Sequence, residues 1–139
     1  MLNSLSKYTD TALLISRIGI GLSYVIVHGY KKLIGGTERW ESYGYAMKSL
    51  GIDFFPVFWG FMAAVAETIG GLFLILGLFF RPSALLILIT MIVAASRHIT
   101  NGDPLSKVAY PVEMAMIMIL FFFVGAGKYS IDYKFWRRK

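Results

Sequence analysis

Cysteine is absent from this chain of 139 residues. Its absence excludes disulfides, thiolate catalysis, cysteine-ligated zinc and iron–sulfur clusters carried by the chain alone. Histidine occurs only twice, and no His-x-x-His or Glu-x-x-His pair is present to hold a metal in a fixed geometry. We therefore expect no metal, haem or iron–sulfur cluster. Any redox chemistry must use a bound cofactor, a substrate or a partner.

Charged residues are also scarce. They make up 16% of the sequence, whereas hydrophobic residues make up 57%, and the mean hydropathy is +0.64. These values are more apolar than those of ordinary soluble domains and indicate an integral membrane protein. The net charge of +6 suits contact between a basic tail and an anionic inner leaflet. Because no soluble basic face is apparent, we expect no nucleic-acid partner.

Four apolar stretches are each long enough to cross a lipid bilayer as one helix, which takes about 20 residues. They run over residues 11–33, 55–80, 83–99 and 108–127. The pattern predicts an all-α fold, a membrane-embedded four-helix bundle that occupies residues 1–139 as a single domain. The polar segment 37–51, which carries interspersed aromatic residues, predicts a short interfacial helix between the first two spans.

The distribution of basic residues predicts the orientation in the membrane. Four spans place both termini on one side, where seven lysines and arginines collect, against six on the other side. Because cytoplasmic segments carry an excess of these residues, the distribution favours cytoplasmic termini.

Several ionisable residues interrupt the spans or lie at their ends. Such groups are costly in lipid, by roughly 2.5–3.5 kcal/mol on insertion scales, and are functional candidates by default. Glu67 lies near the middle of the second apolar stretch and is the hardest of them to explain as structural. The others are Arg17, His28, Arg97, His98 and Glu113.

Helical spacing groups these residues into faces. One stripe of the first span holds Arg17, Gly21, Tyr24, His28 and Lys31. One face of the second span holds Gly60, Ala64, Glu67 and Gly71. Since small residues let helices approach closely, Glu67 is predicted at a tight helix contact inside the bundle.

The functional interpretation is a polar pocket between the helices that binds the headgroup of a quinone or phenol, whose redox change moves protons. We predict Glu67, His28 and His98 as catalytic proton-transfer residues, because histidines and buried carboxylates can titrate near neutral pH. Arg17 is predicted as the charge partner of Glu67 or as a second anchor. The predicted substrate-binding residues are Arg17, Tyr24, Glu67, Arg97 and Glu113.

Other interpretations of the same residues remain open. The two carboxylates and two arginines can neutralise one another as structural pairs. A metal site lacks ligand spacing, and four spans enclose no pore without oligomerising. The competing functional class is a non-catalytic scaffold or transporter-like binder that docks a soluble partner through the basic tail. A small-residue face on the third span permits a homodimer.

Four sequence motifs resemble the DoxX family of membrane proteins, in the wider DoxX/DoxD group. Arg17 and Gly19 lead to GYKKL at 29–33, and ETIGGL at 67–72 is followed by LGL at 76–78 and Arg81. The third motif is MIVAA at 91–95, and the fourth is GAGKYSID at 125–132. The resemblance covers about residues 10–133. Ala126 stands where many relatives carry proline.

The resemblance implies a four-helix membrane bundle and redox work. Some members are the membrane subunit of a thiosulfate:quinone oxidoreductase, and others are linked to quinone or catechol detoxification or to oxidative-stress complexes. The family glutamate maps onto Glu67 and the family arginine onto Arg17. We expect a quinone as the cofactor or substrate, a soluble redox partner, and a bacterial inner membrane as the location. Without a cysteine to carry sulfur, thiosulfate chemistry would need a partner subunit.

Overall fold

A computed structural model describes residues 5–136 of the chain. Its long helices are α1, Thr9–Leu33; α3, Pro56–Leu76; α4, Phe80–Thr100; and α5, Leu105–Val124. The shorter helices are α2, Gly36–Gly44, which continues as a 3-10 helix over Tyr45–Leu50, and α6, Ile131–Trp136. No β-strand occurs among the described residues. The prediction of an all-α bundle with four long apolar helices is confirmed.

The turn between α3 and α4 lies at residues 77–79, whereas the sequence pattern placed it at residues 81–83. Helix α3 ends at Leu76, earlier than predicted, because Gly77 adopts a left-handed conformation with φ +63°. Phe79 also has a positive φ, of 44°, and α4 begins directly after it, with Pro82 in its first turn. Proline is tolerated there because the first helical N–H groups have no partner within the helix. The turn was placed too late because residues 77–79 are as apolar as the helices they join.

Helix α3 is the central helix, and glycines bring its neighbours close to it. α1 runs antiparallel to α3, and a Cβ atom added at Gly21 would lie 2.7 Å from the carbonyl oxygen of Gly71. Further along α1, Gly29 lies directly against Thr68. The predicted small-residue face of the second span is therefore a helix contact face, as close approach through small residues requires.

Helices α1 and α2 pack against successive parts of α3. α1 ends at Leu33, beside the middle of α3, and α2 then packs antiparallel on the first turns of α3. At this contact Gly44 lies on the backbone of Pro56, and Gly60 lies on the backbone of Trp40. The predicted short helix is present, and its placement at a membrane interface stays a prediction.

The hydrophobic core lies where α3, α4 and α5 meet, with Tyr24 contributed by α1. Its largest buried apolar side chains from the other helices are Leu74, Phe80, Ile87, Met118 and Phe121. The outer faces of the long helices are also apolar, and Ile15, Met116 and Phe123 are each more than 60% exposed. Exposed apolar surface of this extent is suited to lipid.

The contact between α2 and α3 leads to a stability prediction. Gly60→Ala is expected to lower the free energy of unfolding by about 1–3 kcal/mol, because the added methyl group overlaps the Trp40 backbone. Gly19→Ala is the matched control: its Cβ meets no atom within 4 Å, and alanine favours a helix by about 0.5–1 kcal/mol over glycine. Unfolding in SDS, followed by tryptophan fluorescence, measures both. Equal stability of the two variants would contradict the close contact.

Candidate functional site

Glu67 is buried and forms an ion pair with Lys32, whose side chain is 21% exposed, at the end of α1. The Nζ atom of Lys32 is 2.7 Å from Oε1 of Glu67, and Glu67 is 1% exposed. The Lys32 ammonium also lies over the ring of Tyr43, at 4.9 Å from the ring centroid, in a cation–π contact. Removing Lys32 would leave the buried Glu67 carboxylate without a cation, so the carboxylate depends on this pair.

A widened turn in α1 explains why Lys32, and not Lys31, reaches Glu67. Residues Ser23–Gly29 form a π-helical segment within α1, in which each hydrogen bond spans one more residue than in an α-helix. After this segment, the polar face of α1 therefore falls about one residue later in the sequence than a regular helix predicts. Lys31 is exposed, whereas Lys32 turns toward α3.

The π-helical segment also presents Tyr24 and His28 to α5. The Nε2 atom of His28 lies 2.7 Å from the hydroxyl of Tyr110, and the two rings stack with centroids 5.2 Å apart. Tyr24 is buried, with 1% of its surface exposed, and its ring centroid lies 5.8 Å from that of His28. All three side chains lie within electrostatic range of the Glu67 carboxylate. We call Tyr24, His28, Lys32, Glu67 and Tyr110 the central cluster.

Two buried atoms of the central cluster have no hydrogen-bond partner. They are the Tyr24 hydroxyl and Oε2 of Glu67. The Tyr24 hydroxyl lies next to that of Tyr110 without a hydrogen bond of normal geometry. A buried polar group without a partner costs about 1–3 kcal/mol, so such groups call for an explanation such as a ligand or water. The cluster therefore has unused hydrogen-bonding capacity.

Arg17 lies at the other end of α1, about 20 Å from Lys32 along the helix axis. Its guanidinium is buried, 2% exposed. It donates a hydrogen bond to the backbone carbonyl of Tyr129 and lies within electrostatic range of Asp132. The prediction that Arg17 is the charge partner of Glu67 is wrong, because Lys32 occupies that place. Its role as a second ligand anchor stays a prediction.

His98 is engaged in the turn between α4 and α5. Its Nδ1 atom is 2.8 Å from Oδ2 of Asp103, and Lys107 lies 3.3 Å from the other carboxylate oxygen. The hydrogen bond from His98, together with Lys107, holds the pKa of Asp103 below its usual range. These contacts give His98 a structural role in the turn, and the structure does not bring it together with Glu67.

Arg97 and Glu113 stand apart from one another. Arg97 is half-buried in the last turn of α4, and Glu113 is exposed on α5. Among the described residues, neither makes an ion pair or a side-chain hydrogen bond. Glu113 follows Tyr110 by three residues, so the two are neighbours on the surface of α5. Glu113 thus lies beside the central cluster, on the outside of the bundle.

Sequence reasoning missed two members of the central cluster. Neither Lys32 nor Tyr110 was predicted as a site residue. The signal for Lys32 was its place one residue beyond a stripe that already held Tyr24 and His28. Only because of the π-helical segment in α1 does Lys32, and not Lys31, point toward Glu67.

The four long apolar helices around a buried polar cluster define a membrane-spanning helical bundle. A comparison with protein-family models matches DoxX over residues 12–99. The match covers more than half of the chain, which therefore belongs to the DoxX family and is an integral membrane protein. The predicted resemblance is confirmed; the matched region contains Arg17 and Glu67 and ends before Tyr110. No curated protein and no solved structure was found to match the chain.

Proposed function

We propose that this membrane protein binds the aromatic headgroup of a quinone-type molecule at the central cluster. The observation that supports this most is the pair of buried atoms without partners, on Tyr24 and Glu67. A ring hydroxyl of the reduced ligand would satisfy both atoms, whereas a ring carbonyl of the oxidised ligand would satisfy the Tyr24 hydroxyl alone. A quinone carries a polar headgroup on an apolar body, which matches a small polar cluster enclosed by apolar helices.

The hydrogen-bonded pair of His28 and Tyr110 gives the site a route for protons. Quinones take up or release protons when their redox state changes. Histidine exchanges protons near neutral pH, and Tyr110 is 38% exposed, so the pair connects the buried Tyr24 with the outside of the bundle. Because the chain has no cysteine, electrons would come from a partner, and the protein would serve as the membrane subunit of a quinone-linked complex.

The soluble redox partner and the homodimer stay predictions as well. Docking of a soluble partner was assigned to the basic tail, whose last residues, 137–139, lie outside the described residues. A groove lined mainly by aromatic side chains lies between α2 and the first turns of α3, and no residue of the central cluster lines it.

The proposal is tested by replacing the ion pair as a unit, Lys32→Met with Glu67→Leu. Exchanging a buried ion pair for apolar residues of similar volume is often neutral for stability, so the fold should persist. We expect saturable binding of a short-chain naphthoquinone and its reduced form to the purified wild-type protein. In the double variant, the affinity for the reduced form should fall at least about tenfold, because its hydroxyl loses the Glu67 acceptor.

Glu38→Gln serves as the control, since Glu38 is an exposed residue of α2. It should bind both forms like the wild type. Tryptophan fluorescence reports the binding, corrected for partition into empty micelles. Unchanged affinity in a folded double variant would place any quinone site elsewhere, and absence of binding in the wild type would refute the proposal.

A further inference from the structure

The two oxygens of the Glu67 carboxylate have different surroundings. Oε1 accepts a hydrogen bond from Lys32 at 2.7 Å, whereas Oε2 is buried and has no partner. As the anionic member of an ion pair, the carboxylate can only accept hydrogen bonds. A group that satisfies Oε2 must therefore donate a hydrogen bond to it.

We infer that the central cluster selects ligands with a ring hydroxyl, and so prefers a hydroquinone or another phenol to the oxidised quinone. This inference rests on the proposed function. A ring hydroxyl can donate to Oε2 of Glu67. A quinone carbonyl only accepts, so placing it there would leave two acceptors facing each other and both unsatisfied.

The other polar groups of the cluster do not reverse this preference. The Tyr24 hydroxyl can donate or accept, so it suits a hydroxyl and a carbonyl equally. The Lys32 ammonium, the strongest donor nearby, is already engaged by Glu67 and by the face of Tyr43. His28 is hydrogen-bonded to Tyr110. Glu67 is thus the residue that distinguishes the two oxidation states.

The size of the preference follows from how sites recognise hydroxyl groups. A site built to hydrogen-bond a ligand hydroxyl discriminates strongly against an analogue that lacks it, because the buried protein group is then left unpaired. The Glu67 carboxylate is 1% exposed, so water from outside cannot replace the missing donor without entering the bundle. We expect a preference of at least about tenfold for the hydroxyl.

A matched pair of redox-inert probes tests the inference without electron transfer. 1-Naphthol carries a ring hydroxyl, and 1-tetralone carries a ring carbonyl at the same position of a skeleton of similar size. Binding to the full-length protein in detergent is measured by tryptophan quenching, corrected for partition into empty micelles. The wild type should bind 1-naphthol at least about tenfold more tightly than 1-tetralone.

Three variants identify the residue responsible. In Glu67→Gln the preference should fall below about threefold, because a carboxamide both donates and accepts. Tyr24→Phe should weaken both probes to a similar degree and leave their ratio unchanged, which keeps the test valid if Glu67→Gln folds poorly. Glu38→Gln makes the same chemical change at an exposed site and should leave both affinities as in the wild type.

The outcomes separate this inference from the proposed function. If the wild type binds naphthoquinone but binds the two probes equally, the hydroxyl preference is refuted while the quinone site stands. A preference that persists unchanged in Glu67→Gln would also overturn the assignment to Glu67. If the wild type binds neither the probes nor naphthoquinone, the proposed function fails and the inference fails with it.

Discussion

Lys32→Met alone is expected to destabilise the protein by about 3–5 kcal/mol, because it leaves a buried charge without its partner. The Glu67 carboxylate would then remain without its cation, in a side chain that is 2% exposed in the wild type. Unfolding in SDS, followed by tryptophan fluorescence, measures the loss.

The second substitution should reverse the effect of the first. Adding Glu67→Leu to Lys32→Met removes the unpaired charge, so the double variant should recover to within about 1 kcal/mol of the wild type. Lys31→Met is the control for loss of an ammonium at an exposed site and should change stability by about 0.5 kcal/mol or less. Additive losses in the double variant would show that the two side chains are not coupled.

Asp132→Ala is expected to cost about 1–3 kcal/mol of stability at the other end of the bundle. The Asp132 carboxylate accepts hydrogen bonds from the backbone N–H groups of Phe79 and Phe80, both at 2.9 Å. These groups lie where α4 begins and would otherwise be unsatisfied. The carboxylate is also within electrostatic range of Arg17, whose guanidinium is buried. The alanine variant would lose the helix cap and leave the arginine charge uncompensated.

Two further variants separate these contributions. Asp132→Asn keeps an acceptor for the cap and removes the charge, so its loss should be smaller than that of Asp132→Ala. Adding Arg17→Met to Asp132→Ala removes the buried charge and should restore part of the stability. If Arg17→Met made the alanine variant still less stable, the proposed electrostatic coupling between the two residues would be incorrect.

The two cations of α1, Arg17 and Lys32, thus have separate partners. Lys32 is held by a carboxylate in the middle of α3, and Arg17 by the segment that precedes α6. Substitutions at Arg17 should therefore alter stability and leave ligand affinity nearly unchanged. If Arg17→Met instead lost ligand affinity at unchanged stability, the anchor role predicted from the sequence would be supported.

The sequence by itself determined the class of the protein, the four apolar helices and the burial of Glu67. These follow from composition, from the length of the apolar stretches and from helical periodicity, all of which act over a few turns of one helix. The family resemblance was likewise carried by short motifs. Charge alone suggested that Glu67 needs a cation, because an unpaired carboxylate among apolar helices is costly.

Only the tertiary structure decided which cation that is. Arg17 and Lys32 are both basic and both near the predicted stripe of α1, and the choice depends on the π-helical segment and on the register set by Gly21 against Gly71. The same register brings Tyr24 and His28 to Tyr110, which is remote in sequence. Contacts of this kind depend on how whole helices pack, which local periodicity does not encode.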